Sequence, residues 1–102
     1  MRRFILLTSD NLTGCYYGFA SCHSVNIDKV IDECSDFINA SYDKTSDHEQ
    51  GIRCYIITPY SKRIKKCFDI SKYGYVVLDH KSRVLIQRHP HDDRYLTVSE
   101  ID

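Results

Sequence analysis

The residues best equipped for chemistry are in the run His89-Pro90-His91-Asp92-Asp93, with Asp79 and His80 a short way upstream. Imidazoles two positions apart, followed by carboxylates, could ligate Zn²⁺ or another divalent ion. They could also supply acid and base to a small ribonuclease, with Arg88, Arg94 and Tyr95 beside them for phosphate. A metal site wants more placed ligands than the two that spacing supplies, and a polar turn between strands explains the run equally well. Cys22-His23 imitates a thiol–imidazole pair, but neighbours on a strand point to opposite faces and cannot hydrogen-bond as a catalytic pair must. Gly14, Gly18, Gly51 and Gly74 form no phosphate-cradling loop. No catalytic residue, metal or cofactor is therefore assigned, and the chain reads as a binder more than an enzyme.

Charged side chains offer more. Asp28, Asp32, Asp36 and Asp43 lie on the polar stripe of an amphipathic helix expected over residues 26–43. Like charges at i,i+4 oppose helix formation by roughly 0.2–0.5 kcal/mol per pair. The helix dipole excuses Asp28 and Asp32 but not Asp36 and Asp43, which fall in the second half of such a helix. A solvated polar face is the ordinary explanation; an acidic docking ridge is the functional one. From Asn26 to Gln50 there are seven acidic and two basic residues, whereas Ile52 to Lys66 holds five basic residues and no acidic one. That basic cluster, Lys62, Arg63, Lys65 and Lys66 after Tyr60, is expected in a turn between strands. It could bind phosphate or a partner, or simply keep an edge soluble.

The elements that must position these groups follow from periodicity. Phe4-Ile5-Leu6-Leu7 reads as a central strand covered on both faces, and 15–22 as a strand pairing back on it. Asn26 is a good N-cap, after which Ile27, Val30, Ile31, Cys34, Ile38 and Tyr42 recur at helical spacing, with Phe37 and Ser41 alongside. Strand signals then occupy 52–58, 67–70, 73–79, 83–89 and 94–98, with His80-Lys81-Ser82 as a tight hairpin turn. The expected fold is α+β, one long amphipathic helix packed on a mostly antiparallel β-sheet in the order ββαββββ. One helix cannot cover both faces of so wide a sheet, so the sheet curls or its open face meets a second copy or a partner.

At 102 residues the chain has room for a single domain spanning 1–102. Fourteen basic side chains balance fourteen acidic ones, so no global field favours nucleic acid or anionic membrane. The short apolar run after Arg2-Arg3 lacks the length and cleavage site of a signal peptide. Five widely spaced cysteines read as reduced core thiols, which points to the cytoplasm. Eight tyrosines with no tryptophan are many for this length; β-propensity explains most of them, and a contact surface is the functional reading. The expected function is a small intracellular protein-binding module, a stoichiometric inhibitor or adaptor of a larger protein and a candidate homodimer, in the style of proteins encoded by phages and mobile elements. The alternative is a small RNA-binding or toxin-like ribonuclease using the basic loop 62–66 and the His89/His91 turn.

Overall fold

Along the first strand, Phe4 and Leu6 face one apolar cluster while Ile5 and Leu7 face another. A strand with both faces covered must lie inside a sheet, and this one does. The computed structural model describes residues 2–101. Its elements are β1 (Phe4–Asp10), β2 (Cys15–Cys22), α1 (Ile27–Glu33), α2 (Ser35–Lys44), β3 (Ile52–Ile57), β4 (Ile64–Ser71), β5 (Gly74–Leu78), β6 (Arg83–Arg88) and β7 (Leu96–Ile101). The strands form one seven-stranded sheet in the order β5-β4-β3-β1-β2-β7-β6. Every neighbouring pair is antiparallel.

The architecture corrects the expected one. The chain is dominated by its sheet, the element order is ββααβββββ, and no long helix is present among the described residues. The break falls at Cys34, which ends α1 and opens α2 with φ −112° and ψ 25°. Its amide still donates to the Val30 carbonyl at 2.9 Å, and Ile38 N donates to the Cys34 carbonyl at 2.9 Å. The apolar stripe therefore runs through the break: Val30, Cys34 and Ile38 are all buried against the sheet. Side-chain periodicity is blind to such a dislocation, because it reports the buried face and not the backbone path. Asn26 caps α1 as expected, its side chain accepting from Asp28 N and Lys29 N.

The helices cover one face through Leu6, Cys22, Ile52, Cys54, Ile56 and Phe68. Thr8 Oγ1 and Ser41 Oγ meet at 2.8 Å in that layer, and Ser41 Oγ donates to the Phe37 carbonyl at 3.0 Å. The buried hydroxyls are thus satisfied while they fix α2 on β1. Gly51 is needed where β3 begins: its φ is +71°, and a Cβ there would run into the Ile70 carbonyl oxygen.

The other face is covered by the sheet itself, which curls. Arg63, just ahead of β4, bridges to Arg83 at the start of β6. Ile64 N donates to Ser82 O and Val84 N to Lys62 O, both at 3.0 Å. Leu7, Tyr55, Ile57, Ile64, Cys67 and Val84 pack inside the curl. His80-Lys81-Ser82 is accordingly not a hairpin turn. β5 and β6 stand at opposite ends of the strand order, and the segment between them crosses from one to the other. The apolar runs on either side resemble a hairpin, but their pairing partners are β4 and β7.

Candidate functional site

The four aspartates Asp28, Asp32, Asp36 and Asp43 are all exposed, the first two on α1 and the others on α2. The break at Cys34 puts Asp36 in the first turn of α2, where the helix dipole favours it. Its acidity is therefore compensated, contrary to the expectation from one long helix. Asp43 adjoins Lys44 in the last turn. Asp28 is engaged: it accepts a 2.7 Å hydrogen bond from the hydroxyl of Tyr75 on β5.

The basic cluster divides between the β3–β4 turn and the first residues of β4. Tyr60 is fully exposed at the tip. Thr58 closes the turn, its amide donating to Arg63 O and its carbonyl accepting from Lys62 N, each at 3.0 Å. Lys62 has a positive φ of 53°, an uncommon conformation for a residue with a side chain. Lys65 and Lys66, expected in the turn, are exposed residues of β4, which begins at Ile64 and not at 67. Arg63, Lys81 and Arg83 rim a cavity of about 560 Å³ that also reaches Asp79, His80 and Glu100.

The structure does not bring the basic loop to the His89/His91 turn. Arg63 meets the first residue of β6, whereas His89 follows its last, so the length of the strand, roughly 17 Å, separates these two residues. Lys62 comes nearer, lining a hollow with Ile86 and Leu96, but no hydrogen bond or ion pair joins the loop to the turn among the described residues. The turn is closed on itself: His91 N donates to His89 Nδ1 at 3.1 Å, and Arg94 grips Asp92 at 2.9–3.0 Å. The guanidinium holds the Asp92 carboxyl down at about 2.

Two features escaped the sequence. The first is the open edge at β5. Tyr75, Val76 and Val77 are 45–63% exposed, and Gly74–Leu78 contains no charge or proline to blunt pairing. The opposite edge, β6, carries Arg83, Gln87 and Arg88 and is tied down at Arg83. The two-residue Lys72-Tyr73 turn makes Ser71 and Gly74 a hydrogen-bonded pair, and alternation then gives the same status to Asp69/Val76 and Cys67/Leu78. The amides and carbonyls of Tyr75 and Val77 consequently point outward, away from β4.

The second is a polar cluster inside the curl. Arg53 on β3 and Asp69 on β4 are cross-strand partners joined by bonds of 2.8 and 3.2 Å. His80 Nδ1 is 2.8 Å from Glu100 Oε2 on β7. Arg53 Nη1 stands 4.0 Å from Glu100 Oε1, too far for a hydrogen bond. That oxygen is buried with no hydrogen-bond partner among the described residues. Cys67 on β4 completes the group: its sulfur, a ring nitrogen of His80 and a carboxylate oxygen of Glu100 lie within 4.8 Å of one another. Burial pushes the Cys67 thiol up to about 12, with Arg53 opposing the rise, and pushes Tyr55 up to about 12 as well. A thiol protonated at neutral pH is no resting nucleophile. The one local signal of this cluster was Glu100, a charge in the inward phase of Leu96, Val98 and Glu100, but the last strand was expected to end at 98. No helix of the described residues is long and apolar enough to cross a membrane. No protein-family model, characterised protein or solved structure matches the chain.

Proposed function

We propose that this protein is a small cytoplasmic protein-binding module, an inhibitor or adaptor that captures an extended segment of a partner on the free edge of β5. The observation that carries the proposal is that edge: outward amides and carbonyls at Tyr75 and Val77, flanked by exposed apolar side chains and free of protective charge. Strand addition supplies main-chain hydrogen bonds for affinity, and alternate side chains supply specificity. The five free cysteines suit a reducing compartment.

Charge selects the occupant. Tyr75 and Val77 lie opposite Ile70 and Phe68, hence on the helix-covered face, and Asp28 reaches Tyr75 there. Asp32 follows one turn later on α1. A second copy pairing β5 to β5 would be related by a two-fold perpendicular to the sheet, which places both α1 helices on the same face with like charges confronted. An extended segment of another protein, apolar at alternate positions and carrying Lys or Arg toward Asp28 and Asp32, avoids that repulsion and uses the acidic stripe.

A displayed library of random linear peptides provides the test. Selected peptides should be β-prone and basic, and Val77→Pro should lose them, since it deletes an outward donor without breaking the β4–β5 ladder. The double reversal Asp28→Lys with Asp32→Lys should weaken them by at least about tenfold, as close charge pairs at interfaces do. Selection of no peptide, or of peptides indifferent to Val77→Pro, sinks the proposal. A concentration-dependent dimer abolished by Val77→Pro would assign the edge to a second copy instead.

A further inference from the structure

We propose that Cys67, His80 and Glu100 form a binding site for one Zn²⁺ ion, which clamps together two regions of the curled sheet. The site adjoins the end of β5, where Cys67 pairs with Leu78, but it lies inside the curl and stands whether or not the β5 edge binds a partner.

The donor set is a thiol, an imidazole and a carboxylate, the types that zinc accepts together. Soft sulfur disfavours Mg²⁺ and Ca²⁺, which take oxygen ligands. The candidate ligand atoms lie within 4.8 Å of one another. On a tetrahedral zinc such atoms are roughly 3.3–3.7 Å apart, so side-chain movements of about an ångström close the site. Glu100 supplies an independent sign: its Oε1 is buried and has no hydrogen-bond partner among the described residues. A buried carboxylate oxygen without a donor is costly, and a cation satisfies it.

Charge balance inside the curl permits the ion. Arg53 is neutralised by its bidentate bond to Asp69, so Glu100 and the Cys67 sulfur can carry negative charge to the metal. The 2.8 Å contact between His80 Nδ1 and Glu100 Oε2 is exchanged for bonds to the ion. Binding releases the Cys67 thiol proton to water. Arg63, Lys81 and Arg83 on the cavity rim are exposed, so solvent screens them. They share that cavity with His80 and Glu100, so water or a small anion could reach the ion to complete its coordination.

The topology gives the ion a purpose. β4 and β7 are separated in the sheet order by β3, β1 and β2, and His80 lies on the segment that crosses to β6. An ion held by Cys67, His80 and Glu100 would add a side-chain link to a closure that otherwise rests on the Arg63–Arg83 bridge and its two backbone hydrogen bonds.

The experiment titrates the reduced, metal-free chain with Co²⁺, a spectroscopic stand-in for zinc, and then displaces it with Zn²⁺. One equivalent should bind with a thiolate-to-cobalt charge-transfer band and a raised melting temperature. Cys67→Ser should abolish the band, and Cys15→Ser should keep it. His80→Ala and Glu100→Gln should each weaken zinc binding by at least tenfold. Because His80 is partly exposed, its variant tests the site even where Cys67→Ser fails to fold. Absence of a charge-transfer band at saturating cobalt, or zinc affinity unchanged in His80→Ala, would overturn the assignment.

Discussion

Asp10 organises the turn after β1. Its Oδ1 accepts from Leu12 N at 2.7 Å and Thr13 N at 3.1 Å, and its Oδ2 accepts from the Tyr17 hydroxyl. Burial alone would raise its pKa, but the bonds from Tyr17 and Thr13 outweigh burial and hold it below the ordinary 3.8. A carboxyl with a depressed folded-state pKa adds stability above its unfolded value, and that stability is lost as pH falls through the folded one. Asp10→Asn should therefore cost about 1–2 kcal/mol at pH 7. Its melting temperature should also fall less steeply than the wild type's between pH 4 and pH 2. Thermal melts of the two proteins across that range check this, and parallel curves would remove Asp10 from the account. Burial and the Asp10 charge push the Tyr17 hydroxyl well above the usual tyrosine range, so it remains a donor at any physiological pH.

At the scale of elements, the break at Cys34 reverses an expectation about charge. A continuous helix would place Asp36 toward its C-terminal half, where a cation is preferred. In the first turn of α2 the preference is opposite. Asp36→Lys should thus destabilise the chain by a few tenths to about 1 kcal/mol, while Asp43→Lys is neutral or slightly stabilising. Urea denaturation of the two variants decides the matter; equal effects would indicate one electrostatic helix. The buried stripe was legible in the sequence because Val30, Cys34 and Ile38 keep helical spacing across the break. β1, β2 and β3 were legible because their apolar runs are bounded by turn residues. β4 was half-read: Lys65 and Lys66 are exposed at its start, so its first turn of pairing with β3 looked like loop. The β5 edge and the Cys67, His80 and Glu100 cluster depend on strand order and on the curl, and neither is written in local spacing.

Across the whole molecule, the attachment of the β6–β7 hairpin decides how the curl behaves. β7 meets β2 at only two register positions, Cys15↔Thr97 and Tyr16↔Leu96, whereas β1 pairs with β3 over six. Beyond that, the hairpin is held by the Arg63–Arg83 bridge, the His80–Glu100 pair and the packing of Val84, Ile86 and Val98. The bridge itself uses the carbonyl of Lys62, whose left-handed conformation costs of order 1 kcal/mol or more. Segments with few ladder bonds and exposed backbone open at lower free energy than the core. Amides of β6 and β7 should therefore exchange with solvent deuterium at least about tenfold faster than those of β1 and β3, a separation of about 1.4 kcal/mol in opening free energy. Zinc at Cys67, His80 and Glu100 should close most of that gap, because the ion adds a link between β4 and β7 that opening must break. Lys62→Gly should narrow it without metal, by relieving strain at the carbonyl that anchors Val84. Uniform protection across all seven strands in the metal-free protein would mean that the hairpin is coupled to the core by more than these contacts, and the clamp would then have nothing to stabilise.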